Sequence, residues 1–439
     1  MESQSLIRPR EREAIIQSLR AGVTPRAGLQ HIQVGRVREV EALIKDIDRI
    51  IDGGSAFRLI IGDFGAGKSF FLHLIRTVAL EKGLVTIHAD LSPDRRLQAS
   101  FGQARNLYLE LMSNCSTRTK PDGGAITNVL EKFITDARIE ANTQGLSIEQ
   151  IIENRLHHLF DLVGGYDFAQ VVKAYWRSYE TDQEQLKIDA VRWLRGEFAS
   201  KTDARKALGV RTIVNDSNIY EFFKLFSLFV KQAGYGGLLI NLDEMAILYK
   251  LAHPRSRMAN YEQILKILND CLQGQATHIG FLLGGTPEFL TDPRKGLFSY
   301  EALKSRLEEN SFAQSAGVVD YAAPTLRLNN LTPEELLILL KNIRRVFFEG
   351  ELSAKAPPDE ALIAFLNHCA TRVGDSYFRT PRNTVKAFAD MLSVLEQNQE
   401  IKWSDLVSQV KVDKEVNSDM PAQEIGSATD EDELTSFKL

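Results

Sequence analysis

Apolar residues along this chain follow two periods, which alternate near both ends of the sequence and give way to one in the middle. Val40, Leu43, Ile44, Ile47, Ile50 and Ile51 recur every three or four positions, and Gly53 and Gly54 close the run. That spacing predicts an amphipathic helix with a glycine stop. Residues 57–61 (FRLII) then form a short apolar run bounded by turn residues, read as a buried strand. A glycine-rich stretch follows, then SFFLHLIRTVALEKG with helical spacing, then a second strand-like run, LVTIHAD, at 84–90. Strand, loop, helix and strand in this order predict the start of a parallel α/β sheet. The strand pattern returns at 236–244 (GGLLINLDE), 278–286 (HIGFLLGGT) and 326–330 (LRLNN), which makes five strands.

Between 100 and 232 only helical spacing is found, as in NLYLELM, IIENRLHHLFDLV and NIYEFFKLFSLFVKQ. This divides the chain into a helical arm at 1–30, an α/β core at 31–99 and 233–330, a helical insertion at 100–232 and a helical lid at 331–400. The arm has Ile15, Ile16 and Leu19 at helical spacing; the lid opens on Thr332, Pro333 and Glu335, a capping box with proline at the first helical position. Residues 401–439, rich in acidic residues including DEDE at 430–433, are expected to be a mostly disordered tail.

Composition narrows the function classes. The chain has 439 residues and a formal net charge of -5, so no global basic field points to nucleic acid. Cys115, Cys271 and Cys369 are too far apart for a metal pair or a disulfide framework, and read as three buried thiols in a reducing cytoplasm. The N-terminus MESQSLIRPREREA lacks the apolar core of a secretion signal, and no apolar run approaches the ~20 residues of a membrane helix. A cytoplasmic protein without a membrane partner is expected.

The chemistry concentrates in the glycine-rich stretch. Gly62, Asp63, Phe64, Gly65, Ala66, Gly67, Lys68 and Ser69 fit the phosphate-loop pattern in full, directly after a strand and before a helix that continues with Phe70. Glycines let successive N–H groups converge on phosphate oxygens, the helix adds its positive end, and Lys68 supplies a mobile cation. Ser69 is a magnesium ligand in this pattern, and needs a carboxylate partner at the end of another strand. Asp243 and Glu244 end the apolar run LLINLDE; Asp243 is the second metal residue and Glu244 the group that orients or deprotonates the attacking water. Thr286, with Glu288 second, ends a neighbouring strand and is a candidate for sensing the terminal phosphate. Arg306, Arg379 and Arg382 are candidate charge stabilisers, Arg306 toward a neighbouring subunit's nucleotide. Residues 187–211, with seven basic and three acidic residues and Trp193, read either as a solvated helix over a buried tryptophan or as a nucleic-acid contact.

These pieces in this order resemble the AAA+ superfamily, near the branch of origin-recognition ATPases, from residue 31 to about 396. The resemblance places Gly35 and Arg36, within Val34-Gly35-Arg36, against the adenine, Arg382 of TPRN at the second sensor, Thr286 at the first sensor, and Arg306 at the trans arginine finger. More narrowly, RPREREAIIQSLRAG with GLQHIQVGR, DGGSAFRLIIGDFGAGKSFFL and AGYGGLLINLDEM resemble the BrxD-like ATP-binding protein of BREX-type phage-exclusion systems. That resemblance implies ATP and Mg²⁺ as cofactors, ATP hydrolysis that is slow without partners, other phage-defence components and DNA as partners, and a homo-oligomer or hetero-complex in the ATP state. It leaves open an origin-recognition-like DNA-binding ATPase and an ATP-gated scaffold with little turnover. The winged helix of origin-recognition relatives is missing, which counts against duplex binding by the C-terminus.

Overall fold

The computed structural model describes residues 7–348, 356–374, 381–398 and 400–410. Arg379 and the acidic stretch from 411 onward lie outside the described residues. Five strands form one parallel sheet: β1 (Ser55–Ile61), β2 (Val85–Asp90), β3 (Leu238–Asp243), β4 (Ile279–Gly285) and β5 (Thr325–Arg327). Their order across the sheet is β2-β3-β4-β1-β5. The loop strand β1 and the carboxylate strand β3 are therefore separated by β4, whose C-terminal end falls between them.

The alternation of side chains divides the sheet between two covers. Ala56, Ile60, Leu239 and Leu282 face the helices Val37–Ile51 and Lys68–Glu81, packing against Leu43, Ile47, Ile50, Phe71 and Ile75. Phe57, Leu59, Val85, Ile87, Ile240 and Phe281 face the other way, into a continuous core shared with the helices of 103–232. There Phe168 stacks edge-on to Trp193, and Phe133 and Phe168 both touch Phe229. The middle of the chain thus packs directly onto the sheet.

Trp193 is the buried tryptophan that one of the two readings of 187–211 expects. Its ring is fully buried and its indole N–H donates to the Thr212 carbonyl at 2.8 Å, so it is not available to stack on a base. Arg192 and Arg195, its neighbours, pair with Asp189 and Glu197.

A third core joins the two ends of the chain. Ile7, Ile15, Ile16 and Leu19 pack against Leu336, Leu340, Ile343, Phe365 and Phe388. The helix Pro9–Arg20 therefore belongs to a C-terminal helical layer made with Pro333–Phe347, Asp359–Val373 and Pro381–Gln397. Arg12 ties it down, donating to the Val346 and Phe347 carbonyls at one helix end and pairing with Glu396 at 2.6 Å. The Thr332–Glu335 capping box forms as the sequence predicts. Cys115 and Cys369 are buried, Cys271 is only half-buried, and all three are free thiols. No helix among the described residues is long and apolar enough to cross a membrane.

Candidate functional site

A cavity of about 690 Å³ lies beyond the carboxyl ends of the strands, between the sheet and the C-terminal layer. This is where open α/β sheets take their ligands. One wall is the loop between β1 and the helix Lys68–Glu81. Gly65 and Gly67 hold positive φ (76° and 82°), which lets the loop close around its own amides and start the helix without a side-chain cap. The Lys68 ammonium sits inside the loop, donating to the Gly62 and Asp63 carbonyls, each at 2.8 Å. Burial pulls Lys68 below the usual ammonium range, while Asp243, Glu244, Asp63 and Glu288 oppose the shift.

The strand ends supply the acids. The Ser69 hydroxyl donates to Asp243 Oδ2 at 2.6 Å across 174 residues of sequence. Asp243 Oδ1 accepts the Glu244 amide at 2.9 Å. Glu244 itself has φ of 57°, a left-handed turn that ends β3 and exposes its carboxylate at the cavity. Asp90 ends β2 in register with Asp243 and also lines the cavity. Burial and the neighbouring Asp243 raise the Asp90 carboxyl above the usual range, against His73, Arg95 and Arg26. No sequence pattern singled out Asp90; its place opposite Asp243 comes from strand pairing alone.

Ser69 and Asp243 are hard oxygen donors. Among the described residues no group of three or more His, Cys, Asp or Glu side chains could hold a metal by itself. The donor set fits a magnesium ion that takes its remaining ligands from phosphate oxygens and water.

The other predicted residues are placed as follows. Gly35, Arg36, Phe64 to Phe70, Thr286 and Arg382 line the same cavity. The Arg36 guanidinium is turned under the loop, donating to the Ala66 and Gly67 carbonyls and facing the Phe71 ring. It braces the loop while lining the cavity. Burial lowers its pKa, with Glu39 and Glu335 opposing. Asn330 adds a second brace, donating to the Asp63 carboxylate at 3.1 Å. The Thr286 hydroxyl accepts the Phe289 amide at 3.4 Å, so it caps the helix Pro287–Thr291 while facing the cavity. Arg382 Nε donates to the Gly22 carbonyl at 2.7 Å. Arg306 lies apart from its own cavity, exposed, with its guanidinium on Asn269 Oδ1 and the Ala302 carbonyl. A role toward the nucleotide of its own protomer is excluded by that placement.

A parallel α/β sheet, a phosphate loop leading into a helix, and a serine at that helix start bonded to an aspartate at the end of β3 define a P-loop nucleotide-binding protein. The family model for the BREX system ATP-binding protein BrxC/D matches residues 7–411, and the chain belongs to that family. No curated protein sequence matches the chain. The family carries an ATP-binding role in BREX defence.

Proposed function

We propose that the chain binds Mg·ATP in this cavity and hydrolyses it slowly, acting as a nucleotide-driven switch of a BREX complex. The observation that carries the reading is the Ser69–Asp243 hydrogen bond at 2.6 Å, which joins the phosphate loop to the acidic strand end. In this reading the core is of the AAA+ type, with residues 331–400 as a lid and 100–232 as a helical insertion. Magnesium, when bound, supplies charge neutralisation at the outer phosphates.

The chain's own residues do the rest. The loop amides grip the inner phosphates, and Lys68 exchanges the Gly62 and Asp63 carbonyls for phosphate oxygens. Glu244 accepts a proton from a water whose oxygen attacks the terminal phosphorus, and the bond to the ADP oxygen breaks. The Thr286 hydroxyl, whose oxygen takes the Phe289 amide, keeps its proton for a terminal phosphate oxygen. Arg382 brings the lid onto the phosphates by leaving the Gly22 carbonyl. Arg306, exposed and remote from its own cavity, is offered to a neighbouring copy.

The test is the Glu244→Gln variant. Steady-state hydrolysis should fall by about 10²-fold or more, as for loss of a general base, with ATP affinity kept. Turnover equal to the parent's would remove Glu244 from the chemistry.

A further inference from the structure

Three acids line the cavity, Asp90, Asp243 and Glu244. Asp243 and Glu244 belong to the proposed metal and water positions, and Asp90 has no assigned part. It ends β2, is exposed to the cavity, and its carboxylate makes no hydrogen bond or ion pair among the described residues. Arg95, five residues on, is paired with Glu110 at 3.3 Å.

Strand alternation sets where that carboxylate faces. On β3, the Asn241 amide group donates to the Leu72 carbonyl at 3.1 Å and Asp243 accepts from Ser69, so both side chains face the helix Lys68–Glu81. On β2, His88 meets His73 of the same helix at 5.8 Å. Asp90 follows His88 by two positions and is in register with Asp243, so it lies on that same face. Along β3, the step from Asn241 to Asp243 moves the contact back along the helix from Leu72 to Ser69. The same step on β2, from His88 to Asp90, covers ~6.6 Å, and the turn from His73 back to Ser69 covers ~6 Å. Asp90 therefore faces the first turn of the helix, where Ser69 sits. It stands one strand spacing, ~4.8 Å, beyond Asp243. On the other side of Asp243 no side chain fits, because a Cβ added to Gly284 of β4 would lie 2.4 Å from Asp243 Oδ1.

Magnesium held through one or two carboxylates keeps several of its waters, and acceptors behind those waters orient them. We infer that Asp90 is a positioning residue for magnesium, its carboxylate accepting a hydrogen bond from a metal-bound water beside the Ser69–Asp243 pair. The inference rests on the Mg·ATP site proposed above. It gives Asp90 opposite effects in two conditions. With the metal present the carboxylate strengthens nucleotide binding; without it, a third negative charge beside the outer phosphates only repels them.

The experiment is calorimetric titration of the full chain by a non-hydrolysable ATP analogue, once with Mg²⁺ and once with EDTA. The quantity read is the ratio of the two affinities. Asp90→Ala should lower that ratio about tenfold, as loss of an acceptor behind a metal ligand does. The change should come from weaker binding with Mg²⁺, with binding in EDTA unchanged or tighter. Asp90→Asn, which keeps the shape and one acceptor, should fall between Asp90→Ala and the parent. Asp94→Ala removes the same charge from the loop after β2, at an exposed residue outside the cavity lining, and should leave the ratio unchanged. Should Asp90→Ala lose its fold by circular dichroism, the ratio in Asp90→Asn decides. A parental ratio in the folded Asp90 variants, or equal losses with and without the metal, would overturn the inference while leaving the site reading standing. A parent that binds no nucleotide, or binds it no better with Mg²⁺, would overturn both.

Discussion

The two walls of the cavity are made by different means. The phosphate wall is one short run of sequence, 62–69, answered by the ends of β3 and β4. Its polar contacts are made by backbone held in a few special torsions, such as Gly67 at φ 82° and Glu244 at φ 57°. The opposite wall comes from both termini, brought together by an apolar core between the helices Pro9–Arg20, Pro333–Phe347 and Pro381–Gln397. Its polar contacts include guanidinium bonds across long gaps in sequence: Arg12 to Val346, Phe347 and Glu396, Arg345 to His31, Arg382 to Gly22. One wall is therefore written locally and holds its shape through the loop itself. The other exists only after the chain ends have met.

The sharpest way to break this contrast is at Lys68. If the first wall carries the binding energy, Lys68→Ala should weaken ATP binding by about 100-fold, as a buried charged donor does when removed. Thermal unfolding should move little, because burial already disfavours the ammonium in the folded state. Equal ATP affinity in the variant and the parent would shift the binding energy to the wall made by the termini.

The same contrast explains what was legible in the sequence. The loop, the strand before it and the acidic strand end could be read directly, because torsion-permissive glycines and paired carboxylates leave a local trace. The five strands and the capping box at Thr332 were equally clear, since each rests on local period or local hydrogen bonding. Asp90 was not, and Arg36 was legible as a cavity residue but not in its contacts. Arg36 sits next to Gly35 in a segment expected beside the base, yet its side chain turns under Ala66 and Gly67. Asp90 is one acid at the end of one of five strands until pairing sets it beside Asp243. Trp193, in a basic stretch, is drawn inward by Phe168 and Phe222, which no charge count in its own segment reveals.

A smaller effect probes the seam between the walls. Gly35 has φ of 67°, and a Cβ there would lie 2.4 Å from Glu335 Oε1. Glu335 is also the capping-box acid, accepting the Thr332 amide at 2.9 Å. Gly35→Ala should therefore cost about 1–2 kcal/mol for the left-handed torsion and about another 1 kcal/mol for the displaced cap. Gly83→Ala is the matched control: φ is 85° with nothing within 4 Å of the added carbon, so only the torsional cost applies. Urea unfolding of the two variants separates the terms. Equal losses would mean that Glu335 yields freely and that the seam is loose.

The smallest effect concerns the ground beneath the phosphate wall. His73, on the helix that leaves the loop, and His88, on β2, meet edge to face at 5.8 Å. Burial, then Arg76 and Arg26, hold His73 down at about 4, with Asp90 opposing; burial, Arg76, His73 and Arg26 hold His88 down at about 3. Both stay neutral in the folded chain near pH 5, whereas an unfolded histidine titrates near ~6.5. Below that value the unfolded state binds more protons, so stability falls as pH drops from about 6.5 toward 4 and is fully kept above it. Since both rings are only half-buried, each contributes on the order of 1–2 kcal/mol across that window. The urea midpoint should drop between pH 7 and 5, and the drop should shrink in His73→Gln with His88→Gln. Comparison with the parent removes His158 and His278, which burial also lowers. An unchanged drop in the double variant would place the acid-sensitive groups elsewhere, and with them the weak point of the wall that sequence made easiest to read.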